Sequence, residues 1–330
     1  MRFTHVGVAV LAVAALSLTA CAGGTSDSGT GDSAASPATD SFPVTVTTEF
    51  GDVTVEEQPV RVVALGWGDA ETALALGVQP VGASDWLAFG GEGVGPWAEG
   101  LYDEAPEIIE TLEPSFEAIA ALKPDLILDT KSSGDQDRYD KLSSIAPTVG
   151  VAPGKTSYLT TMEEQMELIS TALGEKAKGE ELLAEVDTAF DDAAAAHPEW
   201  AGLTVAAATK TSEGWGAYIA GGSRVIYLER LGFEQSPAIA ALPSNSGGFS
   251  VDISAEQLDV IDSDLIVAFP IYIPTTDITD DPLWQAVPAV AAGHAVVIDG
   301  DISASYSLAT TLATKYSIEK IVPLIETALG

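Results

Sequence analysis

Short apolar runs alternate with amphipathic stretches along most of the chain, and this order predicts repeated β-α-β units. The run RVVAL, residues 61–65, has the continuous apolar character of a strand that is buried on both faces. An apolar stripe at helical spacing follows, beginning at Asp69 and stopping at Gly77. The run PVGAS, residues 80–84, then begins another strand. Units of this kind imply a mostly parallel sheet with helices on its faces.

The same alternation continues along the chain in two βα-rich regions. A polar and apolar alternation over 42–55 predicts a hairpin before the first region. Between the regions, apolar positions at helical spacing predict one long helix over 175–196. We therefore expect an α/β fold with two lobes, each a mostly parallel sheet flanked by helices, joined by one long rigid α-helix. The remaining predictions are strands at 125–129, 147–151, 204–209, 264–269 and 295–299, and helices at 115–122, 135–144, 223–231, 254–261 and 307–329.

One helix–strand pattern occurs twice. EAIAALKPDLIL at 117–128 returns as EQLDVIDSDLIV at 256–267. In this alignment Glu117 matches Glu256 and Asp125 matches Asp264, with apolar residues at corresponding positions around them. Either the chain contains two copies of one folding unit, or two unrelated helix–strand joints look alike.

The N-terminal segment has the pattern of an export signal followed by a tether. Arg2 precedes an apolar run over 6–18, which is too short for a comfortable membrane span and is typical of a signal peptide. The run ends in Leu-Thr-Ala-Cys21, which resembles a bacterial lipobox, whose cysteine becomes the lipidated first residue. The alternative is a plain secretory peptide with an incidental cysteine. Residues 22–41 are rich in Gly, Ser and small polar residues, as flexible tethers are.

These patterns predict five regions and a location. We expect an exported protein that is lipid-anchored through Cys21 to the outer face of the cytoplasmic membrane. The predicted regions are a lipoprotein signal peptide at 1–20, a lipidated flexible tether at 21–41, an N-terminal lobe at 42–158, an interlobe segment at 159–199 and a C-terminal lobe at 200–330.

The charge of the chain restricts its partners. Lys and Arg number 14 against 49 Asp and Glu, a net charge of −35. This balance argues against nucleic-acid binding, which requires a basic surface, and against docking on an anionic membrane. It fits a strongly solvated acidic surface that keeps an exported protein soluble.

Candidate ligand-binding residues follow the predicted strands. In open parallel sheets, ligands bind beyond the carboxyl ends of the strands, and aromatic residues are concentrated there in this sequence. Trp and Tyr present large apolar faces with polar tips to a bulky ligand. The alternative is that some of these rings pack under loops as local cores. The predicted ligand-binding residues are Trp67, Trp86, Phe89, Trp97, Lys131, Trp215, Tyr218, Arg224, Tyr272 and Tyr306.

Enzyme and metal signals are weak. The chain has no G-x-S-x-G, H-E-x-x-H or P-loop motif. Beyond the signal segment only His197 and His294 remain, and Cys21 is the single cysteine, so we expect no catalytic residues and no protein metal site. Glycoside hydrolysis by paired carboxylates is the distant alternative.

Several segments together resemble one transport family. The lipobox, RVVALGWGDAETALALGVQPVG, FEAIAALKPDLIL, the long helix and SAEQLDVIDSDLIV are similar, in this order, to the iron-siderophore class of ABC-transporter substrate-binding proteins. The resemblance covers almost everything from Pro43 onward. The stretches GWGDAE and DWLAFGGEGVGPW resemble ferric-siderophore binders of actinobacteria more than cobalamin binders.

The resemblance implies a fold and partners. Members of this class have the class III periplasmic-binding-protein fold, whose rigid interlobe helix allows little closure of the lobes. They deliver their ligand to a dimeric ABC permease, with identical or different subunits, that works with ATPase subunits. Carried over by position, Glu117 and Glu256 would dock into arginine pockets of the two permease subunits. The alternative is that both are only helix-N-terminal glutamates favoured by the helix dipole. We further expect a monomer without a cofactor.

The predicted cargo is a ferric siderophore, which supplies all the iron ligands itself. The cleft-side segments contain few cations, namely Lys131, Arg224 and the further candidate Arg138, whereas aromatic residues dominate. This balance favours a hydroxamate-type chelate over a highly anionic one. Haem is an alternative, with Tyr218, Tyr272 or Tyr306 as a possible iron ligand, and cobalamin is another. A lipoprotein that scavenges a ligand without transport also remains open.

Overall fold

The computed structural model describes residues 41–155, 158–245 and 248–330. The predicted signal peptide, Cys21 and all but the last residue of the predicted tether lie outside the described residues. Within the described part of the chain, no helix has both the length and the apolar composition needed to cross a membrane.

A five-stranded parallel sheet forms the centre of the N-terminal lobe. Its strand order is β5-β4-β3-β6-β7, and every neighbouring pair is parallel. An antiparallel hairpin of β1 and β2 precedes it, as the sequence predicts. The strands are β1 (Val44–Thr48), β2 (Gly51–Val55), β3 (Val62–Ala64), β4 (Gly82–Ser84), β5 (Glu107–Ile109), β6 (Leu126–Leu128) and β7 (Thr148–Val149). The helices are α1 (Asp69–Ala75), α2 (Phe116–Ala121) and α3 (Gln136–Ser143), with a 3₁₀ helix at Pro96–Ala98.

The central strands of this sheet are buried on both faces, which explains their uninterrupted apolar sequence. In β3 and β6, Ala64 and Leu128 belong to a core beneath one face of the sheet. Val63 and Ile127, the intervening residues, belong to the core on the other face. Alternation of side chains along a strand makes one apolar run supply two cores.

Two helices connect the lobes: α4 (Met162–Leu173) and α5 (Lys176–Ala196). The second is 21 residues long, or about 30 Å at 1.5 Å per residue, and matches the predicted helix at 175–196 almost residue for residue. Leu182 packs into the core of the N-terminal lobe. Val186 and Phe190, one and two turns later, pack into the core of the C-terminal lobe. The helix is therefore bound to both lobes, as the expectation of a rigid joint requires.

The C-terminal lobe contains a mixed six-stranded sheet of order β11-β9-β8-β12-β13, with β10 also paired to β8. Within this sheet β9 runs antiparallel to both of its neighbours, β8 and β11, because it returns from β8 through a tight turn. The strands are β8 (Thr204–Thr211), β9 (Gly214–Tyr218), β10 (Glu234–Gln235), β11 (Ser250–Ile253), β12 (Leu265–Pro270) and β13 (Ala295–Val297). The helices are α6 (Ser223–Arg230), α7 (Pro237–Ala240), α8 (Thr276–Thr279), α9 (Pro282–Ala286), α10 (Pro288–Ala292), α11 (Gly300–Leu308) and α12 (Thr311–Leu329).

Two predicted helices differ from the structure. The segment predicted at 254–261 is a 3₁₀ helix, Ala255–Ile261, rather than an α-helix. The helix predicted at 307–329 is two helices, α11 and α12, because Ala309 adopts a left-handed conformation with φ 54°. Thr310 then caps α12 by accepting a hydrogen bond from the Ala313 N–H at 3.1 Å. The two-lobed α/β fold itself is confirmed.

The repeated sequence pattern corresponds to a repeated structural joint. The Asp125 carboxylate, at the start of β6, accepts hydrogen bonds from the Val60 and Arg61 N–H groups just before β3, each at 2.9 Å. The Asp264 carboxylate, at the start of β12, accepts from the Thr204 N–H at 2.8 Å and its hydroxyl at 2.7 Å, at the start of β8. Each aspartate therefore fixes the start of the neighbouring parallel strand. This equivalence supports two copies of one folding unit.

Candidate ligand-binding site

A cleft of about 370 Å³ lies between the lobes, lined by residues that follow strands or begin helices in both of them. Trp67, Lys131 and Tyr158 line it from the N-terminal side. Tyr218 and Arg224 line it from the C-terminal side. A cleft of this size, with mostly apolar walls and a few polar groups, is typical of small-molecule sites.

Stacked aromatic rings form the N-terminal wall. The Trp67 ring lies between Trp86 and Tyr158, with centroid distances of 3.9 Å to each and interplanar angles of 6° and 18°. Tyr158 has a left-handed backbone, φ 65°, and its N–H donates to the Ser132 carbonyl at 2.8 Å. Trp67 and Tyr158 line the cavity and Trp86 does not. Tyr158 is therefore the outer ring of the stack on the ligand side.

A buried carboxylate supports this wall from behind. Asp69, at the start of α1, is fully buried. It accepts hydrogen bonds from the Gly66 N–H at 2.9 Å, the Thr130 N–H at 3.0 Å, the Thr130 hydroxyl, and the Gln165 side-chain amide at 2.7 Å. Burial raises the pKa of Asp69 to about 6, although these hydrogen bonds oppose the shift. One side chain thereby joins the loops after β3 and β6 to α4.

This network fixes the position of two cleft residues. The Trp67 N–H donates to the Lys131 carbonyl at 2.9 Å. Gln165 donates from its amide to the Trp67 carbonyl at 2.9 Å as well as to Asp69. Gly66 is needed for the close approach of the two loops, because a Cβ at this position would lie 2.7 Å from the backbone nitrogen of Lys131. The loops after β3 and β6 are therefore held as one unit.

The C-terminal wall is an aromatic cluster around one arginine. The Arg224 guanidinium lies 4.4 Å from the centroid of the Tyr218 ring and 5.6 Å from that of Phe269. Tyr218 and Phe269 are nearly parallel, with centroids 5.8 Å apart. The Tyr306 hydroxyl donates to the Arg224 carbonyl at 2.7 Å and so fixes the first turn of α6. Cation–π contacts orient the guanidinium without neutralising it.

Two cations from opposite lobes meet in the cleft. Lys131 is 5% exposed, and its Nζ lies 3.5 Å from the Leu308 carbonyl oxygen. Burial and the charge of Arg224 lower the pKa of Lys131 to about 8, against the opposing influence of Asp69 and Glu163. Both cations can donate hydrogen bonds to oxygen atoms of a ligand.

Five of the ten predicted ligand-binding residues line this cleft: Trp67, Lys131, Tyr218, Arg224 and Tyr306. The Trp86 ring supports Trp67 from outside the cleft. Arg138, the more distant cationic candidate, is paired with the Asp129 carboxylate at 2.7 Å and does not line the cavity.

The other four predicted residues lie elsewhere. Trp97 donates from Nε1 to the buried Glu71 carboxylate at 2.7 Å, and Phe89 packs edge-on against its ring. Trp215 stacks on Trp284 with centroids 5.4 Å apart, because its side chain lies on the opposite face of the sheet from that of Tyr218, three residues later in β9. Tyr272 is 92% exposed. For Trp97 and Trp215 the structure shows the local packing that the alternative described.

Sequence reasoning missed Tyr158 and Phe249, which also line the cleft. Tyr158 lies at the predicted lobe boundary, in a segment without an apolar period. Phe249 precedes β11, a strand that the sequence pattern did not predict. No motif near either residue could have identified it.

The two candidate docking residues are on the surface. Glu117 and Glu256 occupy the second position of α2 and of the 3₁₀ helix Ala255–Ile261, respectively, and both are exposed. Within residues 41–155, 158–245 and 248–330, neither carboxylate takes part in a side-chain hydrogen bond or ion pair. Among these same residues, no group of three His, Cys, Asp or Glu side chains is placed to hold a metal ion.

The chain belongs to the periplasmic binding protein family, whose model matches residues 62–302. It is therefore a binding protein rather than an enzyme. It is 29% identical over 269 residues to the probable siderophore-binding lipoprotein YfiY of Bacillus subtilis, covering 74% of this chain and 76% of YfiY.

Two further proteins extend this comparison. The Fe(3+)-citrate-binding protein YfmC of Bacillus subtilis is 25% identical over 315 residues, with 89% of each chain covered. The crystal structure of PiaA of Streptococcus pneumoniae in complex with ferrichrome has 27% identity and a TM-score of 0.73, covering 87% of this chain and 98% of PiaA.

Proposed function

We propose that this protein is the substrate-binding lipoprotein of an ABC importer, and that it captures a ferric siderophore, preferably of the hydroxamate type, in the interlobe cleft. The name of YfiY and the ferrichrome bound to PiaA support a siderophore cargo. The name of YfmC includes ferric citrate, so the relatives' names do not agree on one type of chelate. That choice rests on the cleft.

The observation that carries the proposal is an aromatic cleft with only a few cations. Among the described lining residues, the cations are Lys131, Arg224 and Arg230, and Arg230 is already paired with Asp187 at 2.5 Å. A highly charged chelate would require more countercharge once it left water. A hydroxamate chelate instead presents iron-bound oxygens, which Lys131 and Arg224 can reach as donors, while aromatic rings cover its apolar surface.

The haem alternative is less compatible with the tyrosines of the cleft. A tyrosine that ligates haem iron does so through its phenolic oxygen. Burial raises the pKa of Tyr306 well above its ordinary value, and its hydroxyl already donates to the Arg224 carbonyl. Tyr272 does not line the cleft. Tyr218 is the remaining candidate of the three.

The proposed anchor and docking residues complete the transport function. Lipidation of Cys21 would hold the protein at the outer face of the membrane, and the word lipoprotein in the name of YfiY agrees with this. Glu117 and Glu256 would bind equivalent sites on the two permease subunits. Each is exposed near the start of the helix in one copy of the repeated unit. Charge-assisted pairs with arginine would orient the protein on the permease.

A tryptophan-fluorescence titration of the protein from Phe42 onward tests the cargo. We expect saturable quenching by a ferric trihydroxamate, with weaker or absent responses to ferric catecholate, ferric citrate, haem and cobalamin. Quenching by haem or cobalamin alone would show that this molecule, and not a ferric siderophore, is the cargo. No response to any ferric chelate would refute the siderophore function.

The double variant Glu117→Ala and Glu256→Ala tests docking. Uptake of the chelate by cells should fall at least tenfold, while its affinity for the purified protein stays within about twofold, since neither residue lines the cleft. Asp52→Ala with Asp259→Ala is the matched control, because it removes two other exposed carboxylates. Full uptake by the docking variant would disprove the assignment.

A further inference from the structure

The interlobe cavity continues past Lys131 and Arg224 along helix α6. Besides Arg224, four residues of this helix line it, at positions that fall on one helical face: Ser223, Ile226, Tyr227 and Arg230. From Ser223 to Arg230 the helix rises by about 10 Å. The cavity therefore reaches well beyond the cations, toward the interlobe helix α5.

Side chains from four helices enclose this extension, which we term the inner chamber: Met162 of α4, Phe190 of α5, Ile226 and Tyr227 of α6, and Ser317 of α12. Phe190, Tyr227 and Ser317 are buried although they line the cavity, so the chamber is interior space rather than open surface. Its walls are mainly apolar, and the flexible, polarisable Met162 can adapt to different occupants.

An ion pair borders the far end of the inner chamber. The Arg230 guanidinium lies 4.2 Å from the centroid of the Phe190 ring and pairs with the Asp187 carboxylate at 2.5 Å. Arg230 thus contributes its aliphatic stem to the wall while its charge is paired. The inner chamber is consequently mainly apolar, and Lys131 and Arg224 lie at its cleft side.

The polar groups of the inner chamber offer little to a charged occupant. The Ser317 hydroxyl already donates to the Thr314 carbonyl at 2.8 Å. The Tyr227 hydroxyl lies buried beside Ser317 and has no hydrogen-bond partner among the described residues. A neutral apolar arm leaves this hydroxyl as it is, whereas a charged occupant would lose its hydration with a single hydroxyl in compensation.

We propose that the inner chamber binds an unbranched acyl or alkyl arm of the cargo, so that the preferred ligand is an amphiphilic ferric chelate. The proposal rests on the proposed function: the iron-bound oxygens lie at Lys131 and Arg224, and the arm extends along α6 toward Phe190. A compact chelate without an arm would leave the inner chamber unfilled and would bind less tightly.

Affinity as a function of chain length tests this proposal. The probes are ferric complexes of desferrioxamine B whose terminal amine is acylated with acetyl, butanoyl or hexanoyl groups, so that charge is constant along the series. We expect binding to tighten with chain length, by up to about fourfold for each fully buried methylene. Affinity that does not change with chain length would overturn the proposal while leaving the siderophore function intact.

Two variants locate the effect. Ile226→Trp places a bulky ring in the inner chamber and should abolish the dependence on chain length. Glu229→Trp adds the same ring to an exposed position of α6 outside the lining and should preserve it. If affinity depended on chain length equally in both variants, the acyl arm would bind outside the inner chamber.

A probe without iron tests the inner chamber independently of chelate binding. N-phenyl-1-naphthylamine is neutral, apolar and fluorescent when buried, and it requires no iron. We expect saturable fluorescence enhancement with the wild-type protein and at least a tenfold weaker response with Ile226→Trp. Binding of this probe without binding of any chelate would refute the proposed function but support the chamber; failure of both the probe and the acyl series would refute the chamber.

Discussion

Tyr158 in one wall of the cleft and Tyr218 in the other present similar rings to the cavity, yet different interactions hold them. The stack that ends in Tyr158 rests on loops joined by the buried Asp69 carboxylate. Tyr218 packs between Phe249 and Phe269 and lies beneath the guanidinium of Arg224. One wall therefore depends on a few strong polar contacts, and the other on many weak apolar ones.

This difference implies different responses to mutation. Buried hydrogen-bond networks fail when one member is removed, because the remaining donors lose both protein and water partners. Aromatic packing loses stability in smaller steps that depend on how much surface is lost. The N-terminal wall should accordingly respond more sharply than the C-terminal wall to a single substitution.

The largest effect is expected for Asp69→Ala. Removing the carboxylate leaves the Gly66 and Thr130 N–H groups and the Gln165 amide without an acceptor, and should lower the free energy of unfolding by about 3–5 kcal/mol. Tyr306→Phe, which removes one hydrogen bond from the C-terminal wall, should cost about 1 kcal/mol. Urea unfolding monitored by circular dichroism measures both.

The exposed Asp259→Ala is the control for Asp69→Ala and should change stability by less than about 0.5 kcal/mol. Asp69→Asn keeps one carbonyl acceptor and should fall between the wild type and Asp69→Ala. If Asp69→Ala cost no more than Tyr306→Phe, the contrast between the walls would be incorrect.

The next effect concerns Glu71, which joins the N-terminal lobe to the C-terminal lobe. Its buried carboxylate accepts from Trp97 Nε1 at 2.7 Å and from the Thr310 hydroxyl at 2.8 Å. Burial raises the pKa of Glu71 from 4.5 to about 7. The folded protein therefore holds this proton more tightly than the unfolded chain. The resulting stabilisation is fully present below pH 4.5 and is lost as the pH rises through about 7.

Glu71→Gln removes this titration. The free energy of unfolding of the variant, minus that of the wild type, should therefore increase by about 3 kcal/mol between pH 4.5 and pH 7.5. Urea unfolding at several pH values measures the difference. Glu117→Gln, at an exposed position, is measured alongside as the control for a Glu→Gln substitution. A difference for Glu71→Gln that stays constant with pH would mean that burial does not raise the pKa of this carboxyl.

Particular residues show what the sequence could predict. The strands β3, β6 and β12 were found because burial on both faces makes their sequences continuously apolar. β9, β10 and β11 were missed, since β10 has two residues and the other two contain glycine or polar positions. Their identity as strands depends on pairing with β8 and with one another, which is tertiary information.

The site could be predicted only where it follows a strand closely. Trp67 and Lys131 lie within three residues of β3 and β6, so the carboxyl-end rule located them. The rule failed for Trp215, because its side chain packs into the core on the face of the sheet away from the cleft. Tyr158 reaches the cleft through a left-handed backbone position and a contact with Ser132. Such long-range placement leaves no local pattern in a single sequence.

Ligand affinity offers a third comparison of the walls. Tyr218→Ala removes the ring and the surface that orients Arg224, and should weaken binding of a ferric trihydroxamate by about 2 kcal/mol, or about 30-fold. Tyr158→Ala should cost about 1 kcal/mol, because Trp67 remains behind it as a second ring. Tyr272→Ala, outside the cleft, should have no effect. Fluorescence titration measures the affinity of all three variants. A larger loss of affinity for Tyr158→Ala than for Tyr218→Ala would mean that the N-terminal wall contributes more to binding.

The smallest expected effect tests whether Lys131, in the N-terminal wall, binds the chelate together with Arg224, in the C-terminal wall. Burial and the charge of Arg224 lower the pKa of Lys131 to about 8 in the free protein. Oxygen atoms of a bound chelate favour the protonated amine, so affinity should be highest below pH 8 and decrease as the pH rises through it.

Between pH 7 and pH 9 we expect the dissociation constant of a ferric trihydroxamate to rise about threefold, equivalent to about 0.7 kcal/mol. Lys131→Met keeps the length and apolar stem of the side chain but cannot titrate, so its affinity should be lower at pH 7 and constant across this range. Arg224→Lys leaves Lys131 in place and should retain a decrease with pH. A flat profile for the wild-type protein would mean that Lys131 does not contact the chelate and that the C-terminal wall alone supplies its charge.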